Sequence, residues 1–369
     1  MKKIPSESLN QRIFKFFFGV EENKNKDLGA PKKFLIVRQH NQFGDLLATV
    51  PLFRAIKETY PESKTTIIVS PQNYYAISKN KYLDRIFVFD KKKLFNPAYF
   101  YELKNLLGEE YDVAVVPVTV AISFTSNFLA RLANAKTRIG AKSLNGRINK
   151  YHFFFDRKVK MDWRIFPDEH VSEFGLDILE PFGITTKNHL SAVFFNEEDI
   201  STAEKFIHHI KKKEDELLIG FHIGAGKEKN RWSLSKYIEL MEKLHDIYST
   251  KFYLTGSSSD KSEIDYVKQN TNLILHTFIN KSIPELAAVI SKSDLFVTND
   301  TGVMHVAGTT KTPQISIFGP TNPYNWAPLG KNKYFIRKGE LIDDVAMDDV
   351  LENCNLILEQ KNERKINAE

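Results

Sequence analysis

One pattern constrains this chain more than any other: a short, wholly apolar run followed by a stretch of helical periodicity, repeated through two separate halves. Phe34-Leu35-Ile36-Val37 offers no polar side chain to solvent, so it reads as a strand covered on both faces. Leu46, Leu47, Val50, Leu52, Phe53 and Ile56 follow at mixed three- and four-residue spacing, with Pro51 marking a kink or a first turn. Residues 65–69, 86–89 and 113–116 read as further strands with helical stretches between them. The second half restarts the pattern with strands at 217–221, 252–254, 273–275, 295–297 and 314–317, and helices around 233–248, 283–291 and 301–309. Apolar strands alternating with helices give a parallel sheet with both faces covered. The fold expected is therefore α/β, with two Rossmann-like doubly wound domains facing across a cleft.

The length of 369 residues accommodates that division. The expected boundaries are an amphipathic N-terminal extension (1–30), a first Rossmann-like domain (31–185), a linker (186–216), a second Rossmann-like domain (217–338) and a helical tail (339–369). Within the linker, residues 197–212 read as a helix. In the extension, Leu9, Ile13, Phe16, Phe17 and Val20 share one helical face flanked by Arg12 and Lys15. That face either packs on the first domain or lies in a bilayer interface.

Charge and cysteine content narrow the partners. The net charge of +6 favours anionic ones without choosing among phosphates, acidic lipids and nucleic acid. The single cysteine, Cys354, cannot form an internal disulfide, which fits a reducing compartment. The apolar stretch Phe16–Val20 is too short for a signal peptide and runs into Glu21 and Glu22, so a cytoplasmic location is expected. The segment 136–164 holds nine Lys or Arg against two acids, Asp156 and Asp162. It reads either as a solvated irregular insertion or as a basic lip for a phosphorylated or lipid-linked acceptor. Arg138, Lys142 and Arg147 are its candidate contacts.

Three strand-to-helix loops carry residues suited to chemistry, and such loops lie where ligands bind in open parallel sheets. The first, Arg38 to Asp45, offers Arg38 and Gln42 for an acceptor and Asp45 as a carboxylate near a helix start, where it either caps the helix or acts as a base. Gly44 there permits close backbone approach or a positive φ. The second runs from His222 to Trp232. Gly224, Ala225 and Gly226 open it, and Lys227, Lys229 and Arg231 bring charge that suits a pyrophosphate. It is not a P-loop, because Phe221 and Glu228 stand where that motif needs Gly and Ser or Thr. The third is Asn299 to His305. Asp300 can accept from sugar hydroxyls, Thr301 and Gly302 begin a helix, and His305 follows within its first turns. A plain cap with His305 in the core is the alternative. G-x-G-x-x-G, G-x-S-x-G, H-E-x-x-H and zinc-ligand spacings are all missing from the sequence, which leaves dehydrogenase, hydrolase and metalloprotease readings without support.

Taken in order, Phe34 to Pro51, Arg138-Ile139-Gly140, His222 to Trp232, Ser282 to Leu286, Asn299 to His305 and Phe318 to Pro323 resemble glycosyltransferase family 9, the ADP-heptose:lipopolysaccharide heptosyltransferases. The resemblance spans about residues 34–330. It implies a two-domain glycosyltransferase fold of the B type, with acceptor on the N-terminal domain and nucleotide-sugar on the C-terminal one, and inversion in a single displacement. By the same resemblance Asp45 is the general base and Arg231 lies near the donor phosphates. Asp300, Thr301 and Gly302 hold sugar and pyrophosphate, with His305 close by. Gly224 and Ala225 stand where some relatives carry hydroxyls, so contacts there would be main-chain. The ribose-binding acid is either Asp260 or Glu263. The donor implied is ADP-heptose and the acceptor a lipopolysaccharide core or related phosphorylated glycolipid. No metal, cofactor or nucleic acid is implied, and the inner face of the cytoplasmic membrane is a candidate surface. A non-catalytic sugar-binding module and a nucleotide-sugar epimerase are the rival readings.

Overall fold

The computed structural model describes residues 9–39, 42–213 and 215–366. His40 and Asn41 of the first loop, Glu214 of the expected linker, and the ends of the expected extension and tail lie outside the described residues. The chain divides into two units, residues 1–189 and 190–369.

The first unit is built on β1 (Lys33–Arg38), β2 (Lys64–Val69), β3 (Arg85–Val88), β4 (Tyr111–Val115), β5 (Ala135–Leu144), β6 (Arg147–Ile148) and β7 (Arg157–Met161). The sheet runs β3-β2-β1-β4-β5-β6, with β7 also paired to β5. All pairings are parallel except the β5–β6 hairpin, which turns at Asn145 and Gly146 with φ of 52° and 73°. Phe34 to Val37 of central β1 are fully buried, as their lack of polar side chains requires. The helical pattern after β1 is two helices, Phe43–Leu47 and Val50–Thr59, split at Ala48 and Thr49. Pro51 sits in the first turn of the second helix, where its missing N–H would have had no intrahelical acceptor.

The basic segment 136–164 is not an irregular insertion. It contributes β5, β6 and β7 to the sheet edge, and Phe153, Phe154 and Phe155 are 4%, 0% and 0% exposed. Gly140 of β5 leaves space for the Phe155 ring, whose atoms stand 2.4 Å from where a Cβ would be.

The second unit contains β8 (Leu217–His222), β9 (Thr250–Gly256), β10 (Leu275–Ile279), β11 (Leu295–Asn299), β12 (Gln314–Ile317) and β13 (Lys333–Ile336). Its order β10-β9-β8-β11-β12-β13 is all parallel and is that of the dinucleotide-binding fold. β10 starts two residues later than the apolar run Leu273-Ile274-Leu275 suggests, and Ile274 is 79% exposed. The expected linker from residue 190 onward and the tail belong to this unit, and residues 186–189 to the first. The helix Glu197–Ile210, opened by an Asn196–Asp199 capping box, packs on the helix Ile283–Ser291. The helix Met347–Ile366 packs on Leu234–Ile247 and buries Val350, Cys354 and Leu358 in the core. Among the described residues, no helix is long and apolar enough to cross a membrane.

The N-terminal helix Leu9–Phe18 lies on the first unit through Phe14 and Phe18. Phe14 meets Phe124 and Phe128 edge-on at 5.9 and 6.1 Å, and Phe18 meets Phe128 at 5.4 Å. Arg131 donates to the Phe18 carbonyl at 2.6 Å. The apolar face read from the sequence is the outward one: Leu9, Phe16 and Phe17 are 73%, 83% and 68% exposed.

Candidate active site

In the second unit, the strand order reverses between β9 and β11, the two neighbours of β8. Loops leaving β8 and β11 therefore diverge and open a crevice at the carboxyl ends of these strands. Asn299, the last residue of β11, fixes both loops from a fully buried position. Its Nδ2 donates to the carbonyls of Ile223 (3.0 Å) and Gly224 (3.1 Å). Its Oδ1 accepts from the Trp232 N–H (3.1 Å) and the Tyr237 hydroxyl (3.0 Å).

Asp300 follows at the mouth. Asn230 Nδ2 donates to its carboxylate at 2.8 Å and to its carbonyl at 3.2 Å. Burial pushes the Asp300 carboxyl above its ordinary range, while a hydrogen bond from Thr321 and the charges of Lys227 and Lys229 oppose that rise. The turn Phe318 to Pro323 thus joins the site through Thr321. Thr301 is the N-cap of the helix Gly302–Gly308 without a side-chain bond of its own. His305 is 9% exposed, with its ring 6.3 Å from Trp326.

The loop after β8 holds two of the predicted groups differently from expectation. Arg231 is ion-paired to Glu263, so the cation expected beside the donor phosphates binds one of the two acids considered for ribose. The other acid, Asp260, lies over Gly224, with Oδ1 2.2 Å from where a Cβ would stand. A side chain at 224 would displace that carboxylate, which accounts for glycine here. Asp260 also accepts from the Ser257 N–H at 2.7 Å, fixing it at the end of β9. His222 beneath is buried, which lowers its pKa against the charge of Asp260.

In the first unit, β1 is the equivalent strand, flanked by β2 and β4. Arg38 ends it, 3% exposed, and donates to Thr119 Oγ1 at 2.8 Å in the loop after β4. Trp163, after β7, donates to the Thr119 carbonyl at 2.8 Å. Asp45 is 2% exposed and its charge acts on Arg38, opposing the lowering of the guanidinium pKa by burial. Asp45 is not a cap: the N-cap is Gln42, exposed and without a side-chain bond, and Asp45 sits inside the helix. Gly44 is helical, so its φ is not positive.

Two acceptor candidates of the basic segment are engaged within the fold. Arg138 donates to the Ala133 carbonyl at 2.7 Å, and Lys142 lies 3.9 Å from Glu22. Arg147 is exposed on β6. The sequence reading missed Asn299, Asn230 and Thr321. Among the described residues, no group of three or more His, Cys, Asp or Glu is placed to hold a metal ion.

The model of glycosyltransferase family 9 (heptosyltransferase) matches residues 101–353, more than half of the chain. The chain belongs to glycosyltransferase family 9. As a family member it is a glycosyltransferase. Lipopolysaccharide heptosyltransferase 3 of Escherichia coli (strain K12) is 23% identical over 303 residues, covering 78% of this chain and 83% of that protein. The lipopolysaccharide core heptosyltransferase OpsX of Haemophilus influenzae is 25% identical over 303 residues, covering 81% and 82%. Among solved structures, a family 9 glycosyl transferase from Veillonella parvula DSM 2008 superimposes with a TM-score of 0.77 at 18% identity, covering 92% of this chain and 100% of that one. The E. coli ADP-heptose lipopolysaccharide heptosyltransferase II gives 0.74 at 21%, covering 89% and 99%. These two share the fold of two parallel-sheet domains.

Proposed function

We propose that this family 9 enzyme transfers a heptose from ADP-heptose to a lipopolysaccharide core or a related phosphorylated glycolipid, inverting the anomeric carbon in one displacement. The reading is supported by the family model, described as that of heptosyltransferases, and by relatives named as acting on lipopolysaccharide. The observation that carries the donor side is the Asn299 clamp, which holds the two loops of the second-unit crevice together and sets Asp300 at its mouth.

The chemistry assigns a task to each group. Asp45 takes the proton of the acceptor hydroxyl as its oxygen attacks the anomeric carbon. The bonding electrons leave with the diphosphate, whose growing charge meets Lys227, Lys229 and the main chain of Gly224, Ala225, Thr301 and Gly302. Asp300 accepts from sugar hydroxyls, with His305 behind it. Asp260, at the end of the second strand of its sheet, is positioned as the ribose-binding acid, the place such an acid takes in dinucleotide-binding units. Arg231, held by Glu263, adds positive charge to the loop. Arg38 and Gln42 border the acceptor subsite, and Arg147 with Lys142 forms its basic periphery, whereas Arg138 is turned to the Ala133 carbonyl and takes no part. A membrane-linked acceptor would be met at the cytoplasmic face of the inner membrane, which is the location this reading supports.

A thermal-shift screen over ADP-, GDP-, UDP- and dTDP-sugars tests the donor. ADP-heptose at a hundred times its Kd should stabilise by roughly 2.7 kcal/mol, with no comparable shift from the others. A shift with a UDP- or dTDP-sugar alone would overturn the ADP-heptose assignment.

A further inference from the structure

The first unit contains a cavity of about 570 Å³ on its helical side, away from the loops that hold Asp45. Its size falls within the roughly 300–1,000 Å³ of small-ligand sites. Its floor is Phe89, Leu103, Leu107 and Leu129, between the helices Pro97–Gly108 and Phe124–Leu132. Asn134 is one of its few polar neighbours, and its amide donates to the Gly108 carbonyl at 3.4 Å. A sugar or nucleotide entering here would lose water and gain few hydrogen bonds in return. The lining suits hydrocarbon.

The rim says where that hydrocarbon comes from. Phe100 and Leu132 are 53% and 43% exposed, and Phe95 beside them is 97% exposed. Phe128, another wall of the cavity, is also the surface on which Phe14 and Phe18 pack. The cavity and the N-terminal helix that displays Phe16 and Phe17 outward are thus separated by a single side chain, Phe128. Cations border this apolar surface. Lys91, Lys92 and Lys93 are exposed immediately before the lining residue Leu94, and Lys104 lines the cavity itself. Of the acids nearby, Glu109 is paired with Arg85 and Asp112 with Lys136, while Glu102 and Glu110 are exposed beside the lysines.

We propose that this cavity takes one acyl chain of an anionic bilayer phospholipid, with the phosphate among Lys91–Lys93 and Lys104, while Phe16 and Phe17 enter the interface beside it. Each methylene withdrawn from water multiplies the partitioning about fourfold. Partly buried aromatics with flanking lysines are the chemistry of interfacial attachment. The inference does not rest on the sugar transferred or its acceptor.

The test uses the full chain and vesicles of phosphatidylcholine with phosphatidylglycerol. Co-sedimentation should rise with the anionic fraction. Phe100→Glu combined with Leu132→Glu should lower it at least about tenfold, whereas Phe100→Leu should leave it near wild type. Calorimetric binding of ADP by the double variant should be unchanged, which separates this site from the donor site. Leu132→Trp gives a second readout that survives if the double variant does not fold. Its added fluorescence should be quenched by phosphatidylglycerol brominated along the acyl chain. Unaltered sedimentation of a folded double variant, absence of quenching, or binding of free laurate with no vesicle binding would each overturn the proposal.

Discussion

Replacing Asn299 by alanine removes four hydrogen bonds at once and leaves a cavity where an amide stood. Two carbonyls and one N–H lose their partner, the Tyr237 hydroxyl keeps only a long bond to the His222 carbonyl at 3.5 Å, and Asn299 itself is fully buried. Each stranded buried group costs about 1–3 kcal/mol. Ile223 and Gly224 are themselves buried, and relaxation of the loop recovers only part of the lost bonding, so a net loss of about 3 kcal/mol is expected. For a unit of this size that lowers the unfolding midpoint by roughly 6–12 °C. The assay is differential scanning calorimetry of wild type and Asn299→Ala, paired with calorimetric titration of ADP. The variant should melt earlier in the transition assigned to the second unit and bind ADP at least tenfold more weakly, because the loop after β8 loses its anchor to the end of β11 and keeps only the Asn230–Asp300 bonds. A midpoint within about 2 °C of wild type would refute the reasoning. The clamp would then be a bystander to stability, and an unchanged ADP affinity would make it a bystander to the site as well.

Asp45→Asn should lower kcat by about 10²–10⁴-fold while ADP affinity stays close to wild type; near-normal turnover would remove the general-base role. Lys227→Ala and Lys229→Ala should each raise the Kd for ADP about tenfold, the scale of one charged hydrogen bond, and Arg231→Ala should do less because its guanidinium is paired to Glu263; titration calorimetry with the reverse ranking would return the phosphate role to Arg231. A pH effect should arise from two acids of the first unit. Burial, reinforced by Asp177, raises Glu169 to about 7, and burial with Glu180 and Glu173 raises Asp177 to about 6. Both bind protons more tightly folded than unfolded, so the stability they contribute is complete below their unfolded values and is lost as pH rises through about 6 to 7. Glu169→Gln should flatten the fall in melting temperature between pH 5 and 8; an identical slope in the variant would count against it.

What could be read from the sequence follows from where burial is complete. β1, β8 and β11 are covered on both faces along most of their length, so each carries an unbroken run without charged or polar side chains, at residues 34–37, 217–221 and 295–297, and their positions are plain. β5, β7 and β13 lie at or near sheet edges with mixed burial; interspersed lysines and arginines hid the first two, and β13 is only four residues long. In the site, Asp300 and Gly224 stand in short loops next to legible strands. Asn299, Asn230 and Thr321 act on partners across the fold: Asn230 and Asp300 are 70 residues apart. Nothing local marks such an amide as a clamp. The basic segment misled for the same reason. Lys142 faces Glu22, and Lys158 donates to the same carboxylate at 3.1 Å, so charge that is unbalanced within 136–164 is partly balanced by the N-terminal segment.

The central claim is heptosyl transfer, and the direct measurement is the mass of the acceptor after incubation. Purified enzyme, ADP-heptose and a heptose-deficient lipopolysaccharide core should yield acceptor heavier by a single heptose, together with an equal amount of ADP. Omitting the acceptor should suppress ADP release, and Asp45→Asn should suppress both products. ADP formed at the same rate with and without acceptor, or an acceptor of unchanged mass while another nucleotide-sugar is consumed, would contradict the account.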